Sequence, residues 1–168
     1  MDPKYKPLPS QERLWDLFAL NPLTGELFWR VRTSARCRLN APAGCVTRNG
    51  YVVLRIDGGI YLAHRLIRAW VDGVDPGPSV IDHWDGNPNN NHPWNLRVCT
   101  QSQNMANVPH RGWYETASGK YAAQVKFQGK RIHLGEFVTP LEAYTAYITA
   151  KKLIFGKFAC QIADLHLR

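Results

Sequence analysis

Apolar positions recur along this chain with two different periods, and the changeovers mark its elements. Within residues 10–20, Leu14, Leu17 and Phe18 fall on one helical face with Trp15 beside them, which predicts a short amphipathic helix. Asn21-Pro22-Leu23-Thr24-Gly25 stops it as a turn, and residues 26–31 (E-L-F-W-R-V) read as a strand. Residues 32–39 show little periodicity and read as a basic loop. Residues 45–48 and 51–56 flank Asn49-Gly50, a dipeptide that favours a type I′ hairpin. Gly58-Gly59 then turns into a strand over residues 60–62. Residues 63–71 predict a helix that buries Leu66, Ile67 and Trp70 and ends near Gly73. Asp75-Pro76-Gly77-Pro78 is a stiff connector.

The next stretch, residues 81–107, is the most distinctive. Val80, Ile81 and residues 96–99 are short strand pieces. Between them Asp85-Gly86, Asn87-Pro88 and Asn89-Asn90-Asn91 form a polar loop. Thr100-x-x-Gln103 is a capping box that opens a helix, on which Asn104 and Asn107 share a face. Asp82 and His83 end the first strand, where successive side chains point to opposite sides, so one can bind a metal while the other faces a reacting phosphate. A carboxylate from Asp82, an amide oxygen from Asn104 and phosphate oxygens are the hard ligands that Mg²⁺ prefers. His83 suits proton abstraction from water near neutral pH. Asn95 is expected to hold the imidazole through its amide.

Beyond Val108-Pro109 the pattern becomes strictly alternating. Residues 111–116, 120–127 and 131–137 read as three strands, with turns at Ser118-Gly119 and Gln128-Gly129. Thr139 as N-cap, Pro140 at the first helical position and Glu142 as capping partner start a helix that runs to about Phe155, where Gly156 stops it. Alternation puts Ala123, Val125 and Phe127 on one face with Ile132 and Leu134, packed on Ala143, Tyr147 and Ala150 of the helix. The opposite face carries Gln124, Lys126, Arg131 and His133, with Tyr114, Thr116 and Ser118 on the first strand. A sheet that presents donors, acceptors and cations can enter a DNA major groove.

Composition sharpens this picture. The 168 residues are 45% hydrophobic and include six tryptophans, which predicts real cores. The net charge is +8, and its distribution matters more than its size. Between Glu26 and Asp57 lie six arginines and no acid: Arg30, Arg32, Arg36, Arg38, Arg48 and Arg55. Lys120, Lys126, Lys130 and Arg131 form a second acid-free stretch. Both suit a surface that follows a polyanionic backbone, with Arg36, Arg38 and Arg48 as candidate DNA contacts. Cys37, Cys45, Cys99 and Cys160 match no zinc or redox spacing, and reduced thiols are expected. No signal-like apolar core follows Met1, and no apolar run reaches membrane-spanning length, so a cytoplasmic protein without membrane contact is expected.

Asp82-His83, the Asp85-Gly86-Asn87 loop with Asn89-Asn90-Asn91, Asn95-Leu96-Arg97 and Asn104 together resemble the HNH (ββα-metal) endonuclease motif, in the form found in phage and intron-encoded homing nucleases. The resemblance implies His83 as general base, Asn95 as its positioning residue, and Asp82 and Asn104 as ligands of one divalent ion, Mg²⁺ or Mn²⁺. The C-x-x-C pairs of zinc-bearing HNH proteins are absent, so no zinc is expected. T-G-E-L-F-W, the N-G-Y-V hairpin and A-H-R-L-I resemble the segment that precedes the motif in phage HNH proteins. His64 there is expected to be a hydrogen-bonded anchor for its helix. Arg97 either meets a phosphate or braces the loop. Arg111-Gly112, G-K-Y-A-A-Q-V-K, R-I-H-L-G-E-F and the A-Y-x-x-A helix resemble the plant APETALA/ethylene-response-factor DNA-binding domain.

The expected fold is therefore α+β. It has a nuclease domain over residues 1–108, with a small antiparallel sheet, helices and the ββα-metal motif at 80–107. A DNA-binding domain over 109–168 adds a three-stranded antiparallel sheet on one helix. The expected function is metal-dependent cleavage of double-stranded DNA in a phage-infected bacterial host. The alternative is a non-catalytic DNA-binding regulator on a silent HNH fold.

Overall fold

The computed structural model describes residues 6–35 and 37–160, which form an α+β protein of small antiparallel sheets and four helices. The chain divides into two compact units, Met1–Cys99 and Thr100–Arg168. The sequence placed the boundary after Val108. The division instead groups the helix that follows the second motif strand with the C-terminal unit.

In the first unit, α1 (Gln11–Leu17) starts at Ser10, whose side chain accepts from the Arg13 N–H, and it buries Leu14 and Leu17. The helix is shorter than its periodicity predicted. Phe18–Leu20 turns extended as β1 and pairs with β2 (Leu27–Trp29), Phe18 opposite Trp29. The extended course lets Phe18 pack on Trp29, ring centroids 4.6 Å apart, while its backbone joins a ladder. The turn between them closes through Asn21 N–H to Glu26 C=O and Gly25 N–H to Asn21 C=O.

A three-stranded sheet follows, β3 (Cys45–Val46), β4 (Val52–Ile56) and β5 (Gly59–Leu62), with β4 central. The Asn49-Gly50 turn is not the two-residue type I′ form. Gly50 N–H bonds Thr47 C=O, Thr47 N–H bonds Tyr51 C=O, and of the pair only Gly50 has a positive φ. That is a type I turn followed by a left-handed glycine, which fits strands one residue further apart. Helix α2 (Ala63–Asp72) buries Leu66, Ile67 and Ala69 and ends on Gly73 at φ +74°. Its Arg65 donates to the carbonyls of Ser79, at 2.7 Å, and Gly77, and so ties the connector down where the next strand begins.

That strand is β6 (Val80–His83), paired antiparallel with β7 (Leu96–Cys99). Ile81 and Leu96 insert into the unit's core beside Leu14, Leu17, Phe18, Leu27, Leu54, Leu66 and Ile67. Two such side chains, each worth about 1.5–3 kcal/mol when buried, anchor the hairpin.

In the second unit, α3 (Gln101–Asn107) begins with the expected capping box of Thr100 and Gln103. Strands β8 (Trp113–Glu115), β9 (Tyr121–Phe127) and β10 (Lys130–Phe137) form an antiparallel sheet with β9 central. Helix α4 (Pro140–Phe155), capped by Thr139 and Glu142, packs Tyr144 and Tyr147 on Val125, Trp113 and Leu134. A bulge between His133 and Gly135 interrupts the β9–β10 register. The buried Lys151 donates to Val108 C=O at 3.0 Å and holds the link between α3 and β8.

Gly25 makes the closest approach to another backbone segment in the first unit. It is buried at φ +73°, and a Cβ there would lie 2.3 Å from the backbone of Asn91 and His92. The Gly25 turn therefore supports the polar loop between β6 and β7 from beneath. Gly25→Ala is expected to cost on the order of 3 kcal/mol in urea denaturation, from the left-handed backbone and the backbone clash together. A variant within about 0.5 kcal/mol of the wild type would refute that contact.

Candidate active site

The loop between β6 and β7 is built by its own polar side chains. Asp85 Oδ1 accepts from Asn87 N–H, Asn87 Oδ1 from Asn89 N–H, and Asn90 Oδ1 from His92 N–H. Each bond closes a local turn that backbone groups alone would leave open. Asn95, from a short 3-10 turn at Pro93–Asn95, closes the loop. Its Oδ1 accepts from Asp85 N–H at 3.0 Å, and its Nδ2 donates to Asp85 Oδ1 at 2.9 Å and to Asn90 C=O at 2.8 Å. Burial alone would raise the Asp85 pKa. The bonds from Asn87 N–H, Asn90 and Asn95 outweigh it and hold the carboxyl below its usual range.

His83 lies at the end of β6 and is buried, as is Asp82 before it. The expectation that Asn95 holds the imidazole is corrected, because its amide is committed to the loop. Asn91 takes that place, with Oδ1 3.2 Å from His83 Nε2. Asn91 is buried, and its Nδ2 turns to Asn89 C=O at 3.5 Å, which presents the oxygen to the ring. Nε2–H then donates to Asn91, and the lone pair sits on Nδ1. Burial lowers the His83 pKa, against the opposing pull of the Asn91 bond and of Asp85 and Asp82. Nothing in the run Asn89-Asn90-Asn91 marks which amide reaches the ring; that depends on how the loop turns.

His64, at the start of α2, is also not the hydrogen-bonded anchor expected. It is 5% exposed, its Nδ1 has no partner, and its ring stands edge-on to His83 with centroids 5.0 Å apart. Tyr51 packs on both rings, at 5.6 Å from His64 and 6.0 Å from His83. Arg97 braces Asp82 across the hairpin, Nε to Oδ2 at 2.8 Å. Asp82 is a hard anionic oxygen donor of the kind a divalent ion takes. Among the described residues no three His, Cys, Asp or Glu side chains gather. A single carboxylate is the kind of ligand that a hard cation takes when phosphate oxygens and water complete its shell. Asn104 lies half-buried on α3, in the second unit.

Tryptophan content pointed to cores, yet Trp84 and Trp94, on either side of the loop, are exposed, Trp94 at 89%. The Pro93–Asn95 turn lifts Trp94 outward, a geometry with no signature in hydropathy.

In the second unit, alternation places the polar face as expected. Lys126 is opposite Arg131 and Gln124 opposite His133, with Tyr114 on β8 facing Ala122. Tyr114, Gln124, Lys126 and Arg131 also border a cleft of about 830 Å³ with Arg111 and Lys151. Thr116 and Ser118 lie beyond the end of β8, and their hydroxyls, 2.9 Å apart, close the β8–β9 turn. In the first unit Arg38 and Arg48 are exposed in loops. Arg36 lies outside the described residues.

Residues 61–106 match the HNH endonuclease family model, a span that begins within β5 and ends within α3. The chain is similar to DNA endonuclease I-HmuI of Bacillus phage SP01, 36% identical over 72 residues, which cover 42% of this chain and 41% of the relative. The chain thus spans well under half of that protein. No solved structure matches the chain.

Burial, with smaller contributions from the charges of His83 and Arg65, pushes the His64 pKa down to about 3 from 6.5. The unfolded chain takes up the proton near 6.5, whereas the folded one holds it off to about 3. The stability this neutral ring contributes is complete above pH 6.5 and is lost as pH falls toward 3, at up to about 1.4 kcal/mol per pH unit. Urea denaturation at pH 7 and pH 5 should show a drop in the wild type about 2 kcal/mol larger than in His64→Phe. Parallel drops would contradict a neutral, buried His64.

Proposed function

We propose that this protein is a metal-dependent DNA endonuclease of the HNH type, acting on double-stranded DNA. The observation that carries the reading is the joint placement of buried Asp82 and His83 at the end of β6, with Asn91 oriented on the imidazole, inside the segment that matches the HNH endonuclease family. The similarity to a phage DNA endonuclease supports it.

His83 Nδ1 takes a proton from the water that attacks the scissile phosphorus. A P–O bond forms to that water, and the bond to the 3′ oxygen breaks, which leaves a 5′ phosphate and a 3′ alkoxide that takes its proton from solvent water. Asn91 holds the Nε2–H tautomer through the step, and the buried His64 and the ring of Tyr51 keep the imidazole from turning. Asp82 would hold the divalent ion, Mg²⁺ or Mn²⁺. When bound, the ion supplies charge stabilisation for the phosphorane oxygens and the leaving oxygen.

The sheet of the second unit is the recognition surface in this reading. The cross-strand pairs Lys126–Arg131 and Gln124–His133 offer cations and base-edge hydrogen-bonding groups side by side, with Tyr114 beside them. Thr116 and Ser118 shape the turn at its end. The exposed Arg38 and Arg48 of the first unit, and Arg36, add phosphate contacts, and the exposed Trp94 offers a ring for base stacking.

Supercoiled plasmid with Mg²⁺ or Mn²⁺ at low salt tests the chemistry. The wild type should yield nicked or linear product. His83→Ala should be slower by about 10²–10⁴-fold while it still retards the plasmid on a gel. Asp82→Ala should lose both cleavage and Mn²⁺ binding by calorimetry. Cleavage at the wild-type rate by His83→Ala would reject the assignment, and failure of every form to cut a phage-genome library would favour the non-catalytic regulator. Asn91→Ala separates the two asparagines. It should cut roughly 10–100-fold more slowly yet remain folded, since it frees the imidazole without opening the loop. Unchanged rates in Asn91→Ala would return the positioning role to another group.

A further inference from the structure

Asp82 and Arg97 are direct cross-strand partners on β6 and β7. Two nitrogens of one guanidinium edge, Nε at 2.8 Å and Nη2 at 2.7 Å, converge on a single carboxylate oxygen, Oδ2. The Asp82 side chain is 6% exposed and that of Arg97 16%. A carboxylate this far from water needs a cation, and here it has one in charge-assisted contact.

The endonuclease reading assigns the same carboxylate to a divalent ion. The two cations compete for it. A divalent ion and a guanidinium around one carboxylate leave two net positive charges in a pocket largely withdrawn from water, where repulsion over a few ångströms is several times stronger than in bulk solvent. A DNA phosphate changes that balance. It brings the missing negative charge, and its oxygens match the planar guanidinium fork as well as a carboxylate does. The hairpin need not move for the exchange. Ile81 and Leu96 fix its strands in the core, so the swap is a rotation of the long arginine side chain.

We propose that Arg97 is a counterion lock. It holds Asp82 in the DNA-free protein and releases the carboxylate to a divalent ion when a DNA phosphate takes the guanidinium. Metal binding is then coupled to DNA binding, and by reciprocity the metal tightens DNA. The protein is kept from carrying a loaded site away from its substrate. The inference rests on the metal-dependent reading of this site, and its test separates the two.

The measurement is free Mn²⁺ by electron paramagnetic resonance, on the full chain carrying His83→Ala to prevent cleavage, with and without a duplex. Without DNA, adding Arg97→Gln should tighten Mn²⁺ binding at least tenfold. The duplex should tighten Mn²⁺ binding at least tenfold when Arg97 is present and less than threefold when it is Gln. Circular dichroism reports whether each form is folded. Should Arg97→Gln not fold, Arg97→Lys, which keeps the charge but loses the fork, should show at least a threefold gain without DNA. Equal or weaker Mn²⁺ binding by the folded variant, with binding still abolished by Asp82→Asn, overturns the lock and leaves the metal site standing. Mn²⁺ binding that Asp82→Asn does not change overturns both.

Discussion

The amide of Asn95 is the constraint on which the site depends. One side chain accepts from Asp85 N–H and donates to Asp85 Oδ1 and Asn90 C=O, and its backbone carbonyl accepts from Trp84 N–H. A loop that begins at the end of β6 is thereby closed on the residue just before β7. A buried amide with all of these bonds satisfied is rigid, and one with any bond missing carries the full desolvation penalty. Everything that matters chemically hangs on that closure. His83 is the last residue before the loop, Asn91 sits within it, and Asp82 and Arg97 face each other where the strands are still in register.

The electrostatics follow a division of labour. Asp85 is held ionised by hydrogen-bond donors and serves the loop. Asp82 is matched by a guanidinium. His64 is kept neutral by burial, and burial likewise biases His83 toward its neutral form. Two imidazoles in edge contact could not both be protonated without strong repulsion in so dry a place, so the packing that sets the ring's orientation also sets its charge state.

Much of the fold was legible because it rests on local chemistry. The capping boxes at Thr100 and Thr139, the glycine that ends α2 and the two-period alternation of β9 and β10 each satisfy groups within a few residues of themselves. What escaped the sequence depended on distant partners. Phe18 left its helix because Trp29 and a strand edge were waiting for it. The Asn49-Gly50 turn took another form because the register of β3 and β4 required it. At the site, Asp82, His83 and the polar loop were readable as a constellation, while the choice between Asn91 and Asn95 was not. Both are asparagines near a histidine, and only the course of the loop separates their duties. Arg97 was legible only as a phosphate contact or a brace for the loop, and the strand pairing is what sets it on Asp82.

The contact beneath the loop has a bearing on how the site assembles. Strands β6 and β7 are neighbours in sequence and can pair early, since the entropy of closing the loop between them grows only slowly with its length. The loop's floor, however, is the turn at Gly25, which arrives from the far end of the unit with β1 and β2 and cannot seat until the core between them has condensed. Contacts of that sequence separation form late. The proposed catalytic geometry is therefore among the last features to appear on folding and among the first exposed to partial unfolding from the N-terminal ribbon, so activity should report on the integrity of that ribbon more sensitively than overall secondary structure does.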